Sequence, residues 1–370
     1  MALNEYYTLG NSGLRVSRLA LGTMTFGSEW GWGAEKKGAK ELFDHYVDAG
    51  GNFVDTADLY TNGTSETWLG EFVKDRGLRD KMVIATKFSY NGEPGNPNAG
   101  GNGRKHILSA VEGSLKRMDT DYIDLYFLHT WDTLTRPEEV MRTLDDLVQQ
   151  GKIRHIGLSD VPAWYASRAQ TMAEWRGYEP ISALQMEYSL TERNIENEYI
   201  DLGQRLGMGV MVWSPLASGL LSGKYKPSQS AVKGEGRLAS LAGSGNPAFD
   251  KFTEKNWEIV KVLEEVSKEV NQPMASVAIN WVANRPGVSS VILGATKLNQ
   301  LEQTVQALDF DIPKKLMNRL DEVSKPDLQF PYSFFTPGMQ SMLTGGAKVG
   351  DKPVSYAKTN FIDAAPAGVE

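Results

Sequence analysis

The chain of 370 residues contains no cysteine and only four histidines. The absence of cysteine excludes disulfide bonds, thiolate metal sites and a cysteine nucleophile. The histidines are His45, His106, His129 and His155, and no two of them have the spacing of a metal-binding pair. We therefore expect no metal site.

The chain also lacks a basic excess and a long apolar run. Its net charge is −7, and no run of lysine and arginine is longer than two residues, which argues against nucleic acid or an anionic membrane as a partner. No segment approaches the roughly 20 apolar residues of a membrane-spanning helix. The start, MALNEYYTLG, lacks the basic and apolar regions of a signal peptide. We expect a soluble, cytoplasmic, acidic globular enzyme.

Short apolar runs alternate with segments of helical period along most of the chain. The predicted strands are Arg18–Gly22, Phe53–Thr56, Met82–Lys87, Ile123–His129, Ile153–Ser159, Ile181–Tyr188, Gly209–Ser214 and Ser290–Gly294. The predicted helices include Lys36–Ala49, Ser65–Asp75, Lys105–Met118, Arg136–Gln150, Pro162–Trp175, Glu196–Leu206 and, as the last, Leu298–Ala307. The strands are continuously apolar, which is typical of a parallel sheet covered on both faces. The pattern predicts an α/β protein, a (β/α)8 TIM barrel, for which about 250 residues suffice.

Four segments lie outside the alternation. Tyr6–Val16 contains a Gly-Asn-Ser-Gly turn and predicts an N-terminal β-hairpin that closes the bottom of the barrel. Tyr90–Gly103 and Lys226–Pro247 are long loops that follow strand ends and therefore belong to the C-terminal rim. We expect residues 1–326 to form the barrel domain and residues 327–370 to form a tail, acting as a pocket lid or an oligomer contact.

Polar side chains stand at the ends of the second, third and fourth barrel strands. They are Asp55, with Tyr60 five residues later, Lys87 and His129. A free tyrosine has a pKa near ~10 and exchanges protons poorly at neutral pH. A lysine ammonium beside it favours the phenolate, and a carboxylate keeps that lysine charged. Together with a histidine that orients a carbonyl oxygen, the set predicts a proton relay for making or breaking an alcohol O–H bond.

The order Asp, Tyr, Lys, His on successive strand ends resembles the catalytic tetrad of the aldo-keto reductases. Each residue alone also fits a structural role, such as a surface ion pair, a rim aromatic or a buried histidine, but the ordered set favours catalysis. The resemblance covers most of the chain and implies a carbonyl–alcohol oxidoreductase that uses NADP(H), with NAD(H) as the alternative. Within the family, the chain resembles the aryl-alcohol dehydrogenase-like and potassium-channel-β-subunit-like branches. The markers are the insert that follows Lys87, the segment His129-Thr-Trp-Asp132, and the segment Leu158–Trp164.

The same resemblance implies where the cofactor binds, since no glycine cluster has the strand–turn–helix frame of a Rossmann domain. Ser159, Asp160 and Gln185 correspond to the residues that hold the nicotinamide carboxamide, with Asp160 where the family commonly has asparagine. Trp213 corresponds to the residue that stacks on the nicotinamide. The implied contacts to the pyrophosphate and its surroundings are Ser214, Pro215, Leu216, Ser218, Gly219 and Lys224.

Val291–Glu302 resembles the family segment that binds the adenosine end. Within it, the implied contacts are Gly294, Thr296, Lys297, Gln300 and Gln303. Thr296 and Lys297 are placed to bind a 2′-phosphate at a helix start, which favours NADP(H). Many relatives carry arginine where Thr296 stands, and Lys297 also fits a solvated cation at a helix start.

Aromatic and apolar residues in the rim loops predict a pocket for an apolar or aromatic carbonyl, or for a polyol stacked on tryptophan. The candidates are Met24, Phe26, Trp30, Trp32, Phe88 and Trp131. The partner is then a small-molecule carbonyl or alcohol, in a protein that can form a homo-oligomer.

Two other functions fit parts of the pattern. The first is a cofactor-binding, redox-sensing subunit that contacts a partner protein and keeps residual reductase activity. The second is a barrel hydrolase, which requires paired carboxylates at strand ends. The intact Tyr60, Lys87 and His129 argue against the first, and the basic residues that follow Asp55 argue against the second.

Overall fold

The computed structural model describes residues 3–226, 238 and 250–347, and within them eight parallel strands close into a barrel. The barrel strands are β3 (Leu19–Gly22), β4 (Phe53–Asp55), β5 (Val83–Phe88), β6 (Ile123–Leu128), β7 (Ile153–Ser159), β8 (Ile181–Glu187), β9 (Gly209–Trp213) and β10 (Val288–Gly294). Each strand pairs with its neighbour in the chain, and β10 pairs with β3 to close the ring. The predicted (β/α)8 barrel is confirmed, with the strand ends within two residues of the predicted ones.

In the described part of the chain, helices cover the outside of the barrel, except for the last one, a short helix of the tail without buried residues. They are α1 (Lys36–Asp48), α2 (Thr64–Asp75), α3 (Arg104–Met118), α4 (Pro137–Gln149), α5 (Ala163–Arg176), α6 (Tyr199–Leu206), α7 (Glu254–Glu269), α8 (Met274–Ala283), α9 (Leu298–Val305), α10 (Lys314–Val323) and α11 (Pro337–Leu343). The sequence analysis did not identify α7, α8, α10 and α11. All residues of α8 after Met274 are buried, so apolar side chains lie on most sides of the helix and no exposed polar face marks its period.

The predicted hairpin is present and closes the bottom of the barrel. Strands β1 (Tyr6–Thr8) and β2 (Arg15–Ser17) pair antiparallel, with Tyr7 opposite Val16. Leu9 and Val16 are fully buried and belong to the cluster of side chains that fills the barrel interior. The bottom is therefore closed by apolar packing, and the polar strand ends lie at the opposite mouth.

The long loops lie on the rim at that mouth. The insert Tyr90–Gly103 is anchored there because Asn102 donates hydrogen bonds from its backbone to Asp132 (2.8 Å) and from its side chain to the Thr130 carbonyl (3.0 Å). Most of the predicted loop Lys226–Pro247 and residues 348–370 of the predicted tail lie outside the described residues. None of the helices in the described part of the chain is long and apolar enough to cross a membrane.

Close packing inside the barrel requires a glycine on β7. A Cβ atom added to Gly157 would lie 2.2 Å from the ring of Phe127 on β6, and Phe127 is completely buried. The ring has no space to move into because it fills the barrel interior. This contact fixes the spacing of two of the strands that carry the site.

We predict that Gly157→Ala lowers the free energy of unfolding by about 1–3 kcal/mol, the usual cost of overpacking. Gly38→Ala is the matched control, because its nearest neighbour would be the Ala34 Cβ at 3.8 Å and it lies in α1, where alanine adds up to ~1 kcal/mol. Urea unfolding followed by circular dichroism measures the free energy of unfolding of both variants and of the wild type. Equal stabilities of Gly157→Ala and the wild type would show that the barrel wall adapts without cost.

Candidate active site

Lys87 on β5 is the centre of the polar cluster at the barrel mouth. Its side chain is completely buried, and its ammonium donates to Asp55 Oδ2 (2.6 Å), the Thr56 carbonyl (2.9 Å) and Tyr60 Oη (3.2 Å). All three donor sites of the ammonium are thus occupied. The structure brings together the acid, the lysine and the tyrosine that the sequence pattern predicted.

The electrostatics of the cluster keep this lysine charged. Burial alone lowers the pKa of Lys87, but the charge of Asp55 and the hydroxyl of Tyr60 raise it above its ordinary value. Asp55 is itself held in place, because its Oδ1 accepts a hydrogen bond from the Gln185 side chain at 2.8 Å. Both carboxylate oxygens are therefore occupied, and Asp55 acts through Lys87.

A strained turn presents Tyr60 to the mouth. The residues after it, Thr61 and Asn62, have positive φ angles of 46° and 54°, a conformation that costs energy in residues other than glycine. The Thr61 hydroxyl holds the turn by donating to the Phe26 carbonyl at 2.6 Å. Tyr60 remains 9% exposed, so the turn leaves part of the side chain accessible while its hydroxyl touches Lys87.

His129 follows β6 and lies next to Tyr60. The rings of Tyr60 and His129 are 5.8 Å apart edge to face, and the ring of Tyr90 also contacts the histidine edge to face at 4.9 Å. Burial and the nearby charge of Lys87 hold the pKa of His129 well below its usual range. The imidazole is therefore neutral at neutral pH, and it can donate one hydrogen bond without adding a charge.

The ends of β7, β8 and β9 form the other side of the mouth. Ser159 and Gln185 are buried neighbours on β7 and β8, and the Gln185 amide reaches across the mouth to Asp55 on β4. Asp160 keeps exposed surface in a left-handed conformation (φ 46°) and accepts a hydrogen bond from Trp213 Nε1 at 3.2 Å. Crowding by the surrounding protein raises the pKa of Asp160 to about 7, although the hydrogen bond from Trp213 acts to lower it.

The loop after β9 is compact and left-handed at several positions. Ser214, Ala217, Ser218 and Gly219 all have positive φ angles. The Ser218 amide donates to Ser214 Oγ (3.1 Å) and the Gly219 amide to the Leu216 carbonyl (2.9 Å). These two amides, which we expected to face a pyrophosphate, are thus already used within the loop. Pro215 is buried beneath it.

Lys224 is the cation of this loop. A Cβ atom at position 219 would lie 2.8 Å from both Cε and Nζ of Lys224, so glycine at that position lets the lysine side chain lie against the loop backbone. Desolvation lowers the pKa of Lys224. An anionic group bound here would offset that desolvation.

The segment after β10 places a second lysine at the start of α9. Lys297 is exposed, and its backbone amide and that of Thr296 both donate to the Gln300 side chain, at 3.2 and 2.9 Å. Gln300 therefore caps the helix, a role that the sequence analysis did not predict, since it assigned Gln300 a contact with the adenosine end of the cofactor. Gly294 and Gln303 are exposed on the same segment.

Two of the six residues predicted to line the substrate pocket do not reach the surface. Phe26 and Phe88 are completely buried and pack in the core between barrel and helices, Phe26 against Phe72 and Phe88 against Tyr126. Their assignment to the pocket is wrong, since a side chain without exposed surface contacts no substrate. The other four keep partial exposure: they are Met24, Trp30, Trp32 and Trp131.

The tryptophans divide into two groups around the mouth. The ring of Trp30 contacts that of Tyr60 edge to face, with 6.4 Å between the ring centres. Trp30 also contacts Trp32, at 5.7 Å, so the two tryptophans lie on the side of the mouth that carries the proton relay. Trp131 lies farther along the rim in an open cleft of about 580 Å³. The cleft is also lined by Asp160, Val161, Pro162, Met186, Glu187, Glu192, Asn194, Ile195, Tyr199 and Trp213.

Sequence reasoning missed three residues of the site. The Thr56 carbonyl binds Lys87 through its backbone, so its residue type carries no signal. Tyr90 looked like part of a polar insert, although its position three residues after Lys87 places it on the rim. Asp58, in NFVDTADLY, has a buried Oδ1 without a partner among the described residues, and burial, followed by the charge of Glu66, raises its pKa to about 7.

Comparisons with known proteins agree with this geometry. The sequence model of the aldo/keto reductase family matches residues 18–325. The chain is 34% identical over 347 residues to an aryl-alcohol dehydrogenase of Pestalotiopsis microspora, covering 90% of this chain and 85% of that protein.

Two further relatives carry different names. An NADP(+) aryl-alcohol dehydrogenase of Phanerodontia chrysosporium is 33% identical over 341 residues, covering 88% of this chain and 87% of its own length. A probable voltage-gated potassium channel subunit beta of Oryza sativa subsp. japonica is 37% identical over 308 residues, which cover 82% of this chain and 91% of that protein. With the family match spanning the whole barrel and the polar cluster at its mouth, the chain belongs to the aldo/keto reductase family of oxidoreductases.

Proposed function

We propose that the protein interconverts a carbonyl compound and its alcohol with NADP(H), and that Tyr60 exchanges the proton. The observation that carries this proposal is the buried Lys87 ammonium, which lies 2.6 Å from Asp55 and 3.2 Å from Tyr60 Oη. A charged lysine in contact with a tyrosine hydroxyl stabilises the phenolate, and thus lets the hydroxyl give up or take back a proton near neutral pH.

The residues around Tyr60 divide the remaining work. In reduction, Tyr60 donates its proton to the carbonyl oxygen as the alcohol forms, and Lys87 stabilises the phenolate that is left. The neutral imidazole of His129 donates a hydrogen bond that orients the same oxygen. Asp55 keeps Lys87 charged and fixed, and Gln185 fixes Asp55.

The nicotinamide cofactor supplies the hydride that no amino-acid side chain provides. Several features of the mouth fit such a group. The partly exposed indole of Trp213 is held by its bond to Asp160, and it offers a planar face for stacking. Lys224, lying over Gly219, supplies a cation for phosphate. Lys297 at the start of α9 supplies a second one for a 2′-phosphate.

Two further features support the choice of cofactor and substrate. The relative from Phanerodontia chrysosporium is an aryl-alcohol dehydrogenase that is named for NADP(+), in agreement with the preference suggested by Lys297. The ring of Trp30, which contacts Tyr60, and that of Trp32, which contacts Trp30, suit an apolar or aromatic carbonyl that stacks against them.

In this proposal residues 1–326 are the catalytic barrel and residues 327–370 form a lid or an oligomer contact. The Glu198 carboxylate raises the pKa of Tyr332 to about 12 through a hydrogen bond, and Glu198 precedes the cleft residue Tyr199. This supports a lid. The exposed rings of Phe330 and Phe335 suit either role.

We predict that Tyr60→Phe lowers kcat by about 10²–10⁴-fold, the usual contribution of a general acid, while NADPH binding is retained. The variant keeps the ring and removes only the hydroxyl. Lys87→Met should lower kcat by nearly the same factor. The double variant should lower kcat only a little further, because both residues act on one proton. Turnover of 4-nitrobenzaldehyde measured by NADPH absorbance, with binding measured by fluorescence, tests this.

The matched control is Tyr122→Phe, since Tyr122 precedes β6 at the opposite face of the barrel. It should turn over like the wild type. If Tyr60→Phe kept near-wild-type turnover at saturating NADPH, the proton donor would lie elsewhere and the assignment of the relay would be abandoned.

We also predict that Asp55→Asn shifts the alkaline limb of the pH–rate profile to lower pH. The charge of Asp55 raises the pKa of Lys87, so its removal lowers that pKa and the lysine loses its proton earlier as the pH rises. Asparagine keeps the shape and can still accept a bond from Gln185. An alkaline limb at the same pH in both proteins would mean that Lys87 does not titrate in the reaction.

For cofactor selectivity, we predict that NADPH binds more tightly than NADH and that Lys297→Ala narrows the gap. One charge-assisted contact to the 2′-phosphate contributes about 1.5–3 kcal/mol, which corresponds to at least tenfold in affinity. Lys81→Ala is the control of equal charge, because Lys81 is exposed at the opposite end of the barrel, just before β5. Equal affinities of the wild type for both cofactors by fluorescence titration would refute the preference.

A further inference from the structure

The carboxylate of Asp160 is the unusual charge of the mouth. It accepts a hydrogen bond from Trp213 Nε1, lines the 580 Å³ cleft and keeps solvent-exposed surface. Asparagine at this position would keep the shape, the bond from the indole and the tolerance of a positive φ. The feature that aspartate adds is therefore its negative charge.

The geometry of the mouth brings this charge close to the reacting atoms. Gln185 on β8 contacts Asp55 on β4 at 2.8 Å, so the two sides of the mouth are separated by little more than a side chain. The backbone amide of Asp160 donates to the Gln185 carbonyl at 3.4 Å. The Lys87 ammonium is near enough to Asp160 for its charge to lower the pKa of that carboxyl.

Hydride transfer limits where a nicotinamide can lie. Its C4 atom must come within about 3–3.5 Å of the substrate carbon, and the oxygen on that carbon must contact Tyr60 Oη. The ring of Tyr60 is already in contact with the rings of Trp30 and His129. The cleft that Trp213 and Asp160 line lies at the ends of β7, β8 and β9. Because Trp213 Nε1 donates to Asp160, a nicotinamide ring that stacks on Trp213 lies beside this carboxylate.

On the basis of the proposed nicotinamide chemistry, we propose that Asp160 discriminates between the two redox states of the cofactor by charge, binding the cationic oxidised nicotinamide more tightly than the neutral reduced ring. The two rings have nearly the same shape but differ by one positive charge. A carboxylate beside the ring attracts only the oxidised form, because only that form carries a positive charge.

This preference affects the reaction as well as binding. Stabilising the oxidised cofactor relative to the reduced one makes the bound reduced form a stronger hydride donor. In the reduction, the bound dihydronicotinamide would supply the hydride to the carbonyl carbon, and Tyr60 would supply its proton to the carbonyl oxygen. The equilibrium on the protein is thereby shifted toward the alcohol and the oxidised cofactor.

The test is equilibrium binding without substrate, so that no turnover enters the measurement. The affinities for NADP+ and NADPH are determined by titration of tryptophan and cofactor fluorescence, for the wild type and for Asp160→Asn. We expect the substitution to reduce the preference for NADP+ over NADPH by about tenfold, equivalent to about 1.4 kcal/mol. Asp121→Asn makes the same charge change at the exposed opposite face, just before β6, and should leave the ratio unchanged.

A second arm varies the pH from 6 to 8.5. Because the pKa of Asp160 is raised to about 7, the wild-type preference for NADP+ should grow as the pH rises, whereas Asp160→Asn should be flat. The charges of Lys87 and Glu187 shift the pKa of Asp160, and the charge of Asp160 in turn raises the pKa of Tyr90 and Tyr199. All four residues remain in the variant. Both cofactors carry the 2′-phosphate, so its own titration cancels in the ratio.

Each outcome decides a separate point. An affinity ratio that is the same in the wild type and Asp160→Asn, with both cofactors bound, overturns the role of Asp160 and leaves the proposed function standing. Failure of the wild type to bind either cofactor overturns the proposed function itself. A ratio that falls equally in Asp121→Asn overturns the local role and assigns the effect to net charge.

Discussion

The buried ion pair between Lys87 and Asp55 is the interaction on which the rest of the site depends. A lysine without exposed surface is costly in an apolar interior, and removal of one partner of such a pair generally costs about 3–5 kcal/mol. The fold meets this cost with a complete set of acceptors: Asp55, the Thr56 carbonyl and Tyr60. The tyrosine is one of these acceptors, so the contact that stabilises the lysine also prepares the hydroxyl for proton exchange.

The barrel supplies this arrangement because parallel strands end at one face. Asp55 ends β4, and Lys87 lies one residue before the end of β5, while Gln185 reaches from β8 to the second oxygen of Asp55. Three strands far apart in the sequence therefore fix one carboxylate. The bottom of the barrel carries none of this chemistry, since Leu9 and Val16 of the hairpin close it with apolar packing.

The strand ends were predictable from sequence, and side-chain direction was predictable only where the period of a strand was applied. Lys87 and Phe88 are adjacent on β5, so the pleat sends them to opposite faces: Lys87 into the mouth and Phe88 into the outer core. That alternation would have removed Phe88 from the predicted pocket. Thr56 acts through its carbonyl and Gln300 through a cap on its own helix. Such roles depend on backbone geometry, which residue type does not reveal.

The charges around the relay follow one pattern. Lys87 is balanced by Asp55, and the buried Glu66 by Arg117 at 2.6 Å. Asp58 in the loop after β4 and Asp160 at the cleft have no such salt bridge among the described residues, and crowding by the surrounding protein raises the pKa of each to about 7. A buried carboxyl without a cation avoids the cost of its charge by binding a proton. Asp58, whose Oδ1 is buried without a partner among the described residues, can stay neutral in this way, whereas Asp160, which lines the open cleft, can regain its charge when a cationic ring lies beside it.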